Sequence, residues 1–264
     1  MGTLKVDGTH LHQEFQPLLQ RKQRMIRMKK FFTIIGGMGT MATESFIHQL
    51  NKRIPASCDQ DYLDYILLNH ATIPDRTAYL LDNSKPSPYP DLAEDIRQQA
   101  KLNPEFFAIP CNTAHYFYDD LQKLTKIPIL HMPREAVKEI GNRYPKAKRV
   151  GLLATHGTIA DHVYENEIKK AGYEFVGPTD AIQAKTDELI YTDIKEHDFV
   201  DRQLFHGLVK TMINERKCDV VILGCTELSL AQEREPVDGM PIVDGQIVLV
   251  ERTLEKAMKL QKGK

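Results

Sequence analysis

The chain has 264 residues, long enough for one large or two smaller α/β lobes, each able to bury a core, and 42% of its residues are hydrophobic, which excludes intrinsic disorder. Its 35 Lys and Arg nearly cancel 36 Asp and Glu, so no overall field draws it to nucleic acid or to an anionic membrane. A small-molecule protein with neither kind of partner fits this composition.

The polar segment 1–29 reads as an extension ending in a basic cluster, Arg21, Lys22, Arg24, Arg27, Lys29 and Lys30. Such a cluster either meets an acidic partner or forms a solvated charged face, and the latter is the plainer reading. Met28 opens "MKKFFTIIGG", which reads as a natural translation start. There is no apolar signal-peptide core and no run near the ~20 apolar residues of a membrane span, so a cytoplasmic location is expected. Cys58, Cys111, Cys218 and Cys225 are then reduced thiols, and no pair has CxxC spacing.

From Phe31 onward short apolar runs alternate with amphipathic stretches, the pattern of βα units and parallel sheets. "FFTII", "YILLN", "FFAIP", "IPILH", "RVGLLA", "VVILG" and "MPIVD" read as strands. Helices are predicted over 41–51, 91–102, 134–142, 159–171 and 201–215. "FTIIGGMGT" resembles "VGLLATHGT", and about seventy residues after each comes a strand ending in cysteine and threonine, "FFAIPCNT" and "VVILGCT". Two similar lobes follow, one from 30–131 with 242–264 and one from 132–241. Ligands collect at the carboxyl ends of parallel strands, so facing lobes bring Cys111 and Cys225 to one cleft.

Each of these cysteines precedes a predicted helix start, where backbone N–H groups and the helix dipole favour the thiolate and lower the thiol pKa. Alone, each is more often a buried structural residue. Their matching places in a repeat reverse that expectation. Two thiols facing one carbon from opposite sides suit proton exchange at a stereocentre. Cys58 and Cys218 lack the cysteine-threonine context and read as bystanders.

"IIGGMGT" raises a nucleotide site, but GxGxxG needs a glycine where Ala42 stands, and the phosphate loop's Gly-Lys-Ser/Thr is absent. Its amides around Met38, Gly39 and Thr40 suit a carboxylate, or the glycines serve only close packing. Arg76 in "IPDRT" either grips a carboxylate through paired hydrogen bonds or, with Asp75, caps a turn facing solvent. His70, His115 and His156 lack metal-ligand spacing, so no metal is expected.

Together "IIGGMGTMATESF", "IPDRTAYLL", "PCNTAH" and "GCTELSL" resemble the aspartate/glutamate racemase family, whose aspartate racemases work without a cofactor, across roughly residues 31–258. The resemblance implies an α/β fold of two Rossmann-like lobes with parallel sheets, related by a pseudo-twofold around the active site, commonly in a homodimer. It makes Cys111 and Cys225 the catalytic pair. It implies that Asn112, Thr113 and Thr226 hold the α-carboxylate and amino group, helped by the Met38 turn and by Thr155 to Thr158, with Glu227 beside them. Arg76 would grip a side-chain carboxylate, with Tyr191 and Lys195 of "YTDIK" in support. The chain departs from many relatives at Met132, Pro133 and Arg134, where an aspartate is common, and at Leu249, where histidine is. Racemisation of aspartate, or glutamate second, is the expected activity. The rivals are a neutral or broad-range racemase, an isomerase or decarboxylase of the same superfamily, and a binding protein without catalysis.

Overall fold

The structure is a computed structural model that describes residues 30–262. The expected extension 1–29, with all of its basic cluster except Lys30, lies outside the described residues. In chain order the first lobe runs β1 (Phe32–Gly36), α1 (Thr40–Lys52), β2 (Tyr65–Asn69), α2 (Arg76–Leu81), α3 (Tyr89–Ala100), β3 (Phe107–Ala108) and α4 (Tyr118–Lys123); α5 (Met132–Arg143) follows and buries Ala136, Val137 and Ile140 in the core of the second lobe. The second runs β4 (Arg149–Leu153), α6 (His156–Ala160), α7 (Val163–Lys170), β5 (Glu174–Val176), α8 (Asp180–Asp187) and a π-helical stretch Glu188–Glu196. It continues through α9 (Arg202–Asn214), β6 (Val220–Leu223), α10 (Thr226–Arg234), β7 (Ile242–Asp244) and α11 (Gly245–Lys262).

Two parallel sheets result, ordered β2-β1-β3 and β5-β4-β6-β7. Their central strands are buried on both faces, which is why their apolar residues run consecutively. Phe32 and Ile34 pack on one side of the first sheet and Ile35 on the other. Val150 and Leu152 likewise oppose Leu153 in the second. On α1 the buried Ala42, Phe46, Gln49 and Leu50 follow the helical repeat, and complete burial of Phe46 and Leu50 stabilises the lobe by about 1.5–3 kcal/mol each. Asp201 starts α9 by accepting from Leu204 N.

Several elements depart from expectation. "IPILH" makes only a bridge, Phe107 to Ile129, where Pro128 accepts from Phe107 N but has no N–H of its own to extend a ladder. The helix expected over 159–171 is two helices, because His162 takes a left-handed φ of 57° and Asp161 Oδ1 accepts from Val163 N. Residues 242–244, grouped with the first lobe by sequence, are the edge strand of the second sheet, held by parallel pairing of Val221 to Ile242 and Leu223 to Asp244. The following helix does serve the first lobe, where Leu249, Val250 and Ala257 join Phe32 and Ile34. With the Ile129 bridge counted, both sheets have the same strand order, so β1 corresponds to β4 and β3 to β6. No helix among the described residues is long and apolar enough to cross a membrane.

Candidate active site

Cys111 lies just past β3 and Cys225 just past β6, at the corresponding ends of corresponding strands, and both are buried. They line one narrow cleft with a cavity volume of about 20 Å³. First-lobe side chains in its wall include Met38, Arg76, Asn112 and Thr113, and second-lobe ones include Thr155, Tyr191, Lys195, Thr226 and Glu227. Asp75 and Thr77 complete it.

Cys225 stands at the N-cap of α10. Its thiol donates to Glu227 Oε2 at 2.9 Å, and Thr226 Oγ1 donates to the same oxygen at 3.2 Å. Lys195 Nζ lies 3.7 Å from the other oxygen, Oε1. Burial and the Glu227 carboxylate push the Cys225 thiol well above its ordinary pKa, outweighing the Lys195 charge and the Glu227 backbone N–H that pull it down. For this cysteine the lowering expected from a helix N-terminus is therefore reversed, chiefly because burial disfavours the thiolate, with the neighbouring Glu227 carboxylate adding to it.

Tyr191 and Lys195 come from the π-helical stretch, with Lys195 Nζ 4.5 Å from the Tyr191 ring centre. Burial opposes the Lys195 charge, but Glu227, Cys225 and Tyr191 hold its pKa above the usual lysine value. Tyr191 is pushed up to about 12, chiefly by burial. Glu227, anticipated as a substrate contact, already has both oxygens engaged.

Asp75 caps α2 by accepting from Ala78 N at 2.7 Å. Arg76 reaches the cleft, where its Nη1 donates to Pro74 O at 3.3 Å while its buried Nε has no partner among the described residues. Across the lobes runs a chain of hydroxyls: Thr77 to Thr155 at 3.3 Å, Thr155 to Thr158 at 3.1 Å, and Thr158 to Thr113 at 2.8 Å. Thr155 also caps α6, accepting from Thr158 N. Thr158 thus touches the site through Thr113 rather than lining the cleft.

The glycine turn splits between two spaces. Met38 lines the cleft, while Gly39 and Thr40 line a neighbouring cavity of about 490 Å³ that shares Arg76, Lys195 and Glu227 with it. Gly37 has φ 95°, and a Cβ there would lie 2.5 Å from the His70 backbone, so the turn demands glycine. Its N–H is already spent on Thr43 Oγ1 at 3.0 Å.

The histidines serve structure. His115 donates from Nδ1 to Cys111 O at 2.8 Å and accepts at Nε2 from Met132 N, a neutral tautomer in keeping with a pKa lowered by burial. His70 pairs with Asp95 at 2.9 Å, and His156 is exposed. Cys58 is exposed, and burial pushes Cys218 up to about 11, an unreactive thiol. Among the described residues no cluster of three or more His, Cys, Asp or Glu could hold a metal ion. Sequence reasoning missed Thr77, which was signalled only by its place next to Arg76.

The chain is similar to the broad specificity amino-acid racemase RacX of Bacillus subtilis, with 28% identity over 238 residues, 86% of this chain and 98% of that protein. Among solved structures it is similar to Picrophilus torridus aspartate racemase, with a TM-score of 0.73 and 26% identity over 87% of this chain and 94% of that one. Glutamate racemase from Francisella tularensis shares the fold at a TM-score of 0.59 and 17% identity, covering 88% of this chain and 82% of its own. Residues 35–253 match the Asp/Glu/Hydantoin racemase family, and the chain belongs to that family.

Proposed function

We propose that the protein racemises an acidic amino acid, aspartate first and glutamate second, by proton exchange at Cα between two thiols and without a cofactor. The observation that carries this reading is the single cleft shared by Cys111 and Cys225, with Arg76 and Lys195 in its wall. The raised thiol of Cys225 suits it to the role of proton donor, and Cys111, which shares the cleft, is then the base. The Cα–H bond breaks as the Cys111 S–H bond forms, and the Cys225 proton reaches the opposite face. Negative charge ends on Cys225, where Lys195 offsets it. The developing carbanion is stabilised by hydroxyls and amides in a closed cleft. The Arg76 Nε, which has no partner among the described residues, supports a substrate with a second carboxylate.

A wider substrate range is the second reading. It is favoured by the Lys195 to Glu227 pair, which satisfies the lysine before any substrate arrives, and by the likeness to a relative named for broad specificity. The test is deuterium incorporation at Cα from heavy water, across L- and D-amino acids with no added cofactor. Exchange confined to aspartate and glutamate is the expected result. Equal exchange with neutral amino acids selects the second reading, and none with any amino acid refutes both.

A further inference from the structure

Tyr164 sits on α7 of the second lobe and is completely buried, packed in the same core as Val150, Leu152 and Ile168. A tyrosine there does more than fill volume. Its hydroxyl crosses to the first lobe and donates to Asn112 Oδ1 at 2.6 Å. Asn112 follows Cys111 and lines the cleft, and its buried Nδ2 has no partner among the described residues.

The pair has one workable polarity. A buried hydroxyl that loses its acceptor costs about 1–3 kcal/mol. Asn112 Oδ1 is the acceptor that Tyr164 finds among the described residues. Turning the amide over would set NH₂ against the hydroxyl, strand the hydroxyl proton and give the cleft a carbonyl oxygen. Held as it is, Asn112 offers the cleft only donors.

We infer that Tyr164 is a positioning residue: by holding Asn112 Oδ1 across the lobes, it presents the Asn112 NH₂ to the substrate's α-carboxylate, which takes up negative charge as the Cα proton leaves. This role rests on the racemase reading above. Gly245, the first residue of α11, makes room for the contact, since a Cβ there would lie 2.7 Å from the Tyr164 hydroxyl and 3.3 Å from Asn112 Oδ1. Burial, with Asp244, Asp161 and Cys225 nearby, keeps the tyrosine pKa well above its ordinary value, so the donor stays protonated. The fully buried ring also ties the orientation of Asn112 to the packing of the second lobe.

Tyr164→Phe keeps the ring and deletes the bond. Because it misorients a donor rather than removing one, kcat should fall about tenfold, short of the ~100-fold or more for deleting an oxyanion donor, with a smaller change in KM. In an Asn112→Ala background the same substitution should cause no further fall, as required of a residue acting only through Asn112. The side-chain amide resonance of Asn112 in the ¹⁵N-labelled protein should shift in Tyr164→Phe. Gly245→Ala, which crowds the contact without touching the ring, should reproduce the kinetic pattern and serves if Tyr164→Phe does not fold. Unchanged kcat in the folded variants, an undiminished fall in the Asn112→Ala background, or an unmoved amide resonance would each overturn the inference. Absence of Cα exchange in the wild type would instead overturn the racemase reading, and the resonance would still decide whether Tyr164 holds Asn112.

Discussion

Glu227→Gln gives the sharpest test of how the thiols are poised. In the native site a carboxylate oxygen lies 2.9 Å from Cys225 Sγ, so forming the thiolate sets two negative charges side by side. At an effective dielectric of about 20 that repulsion amounts to ~6 kcal/mol. If the side chains retreat until only a third survives, removing the charge still lowers the Cys225 pKa by ~1.5 units, at about 1.4 kcal/mol per unit. Lys195, released from its contact with Oε1, pulls in the same direction. The assay is a pH titration of thiolate ultraviolet absorbance in a Cys111→Ser background, wild type against Glu227→Gln at position 227, with alkylation mapped to Cys225 by peptide mass. A midpoint that stays put or rises in Glu227→Gln refutes the claim that this carboxylate adds to burial in holding the thiol protonated.

Cys111→Ala and Cys225→Ala should each abolish racemisation, and measurable interconversion of enantiomers in either variant would sink the two-base scheme. Arg76→Ala and Lys195→Ala should lower aspartate turnover by about tenfold or more, the worth of a charged hydrogen bond, while any alanine turnover is unaffected. Equal losses on both substrates would show that these cations do not read the side chain. Asp244 is raised to about 6, mainly by burial, so the folded state holds its proton more tightly than the unfolded chain. Stability from this group is therefore present at low pH and is lost as pH rises through about 4 to 6. Asp244→Asn keeps an acceptor for Ser229 and Ile247, so its melting temperature should gain on the wild type across that window and hold the gain above it. A constant difference at every pH would contradict the raised pKa.

Much of this architecture is legible along the chain where the physics is local. β1, β4 and β6 are readable because coverage on both faces demands consecutive apolar residues. β5 escapes notice because Glu174 is exposed and Phe175 only partly covered at the sheet edge, so no apolar run marks it. The cysteine pair is legible through the repeat, since equivalent strands deliver equivalent residues. The protonation of Cys225 is not, because Glu227 is two residues away in sequence and only the folded turn decides whether its carboxylate meets the thiol. Tyr164 is the extreme case: its pattern is that of a core residue, and its partner lies 52 residues away on the other lobe.

The unequal surroundings of the two thiols bear on the symmetry of the catalysed reaction. Cys225 meets a carboxylate, whereas Cys111 has no side-chain hydrogen bond among the described residues. Enantiomers have equal free energies in water, so kcat/KM must be identical in the two directions whatever the enzyme looks like. A site this lopsided can therefore express its handedness only by trading kcat against KM, binding one enantiomer more tightly and turning it over correspondingly more slowly.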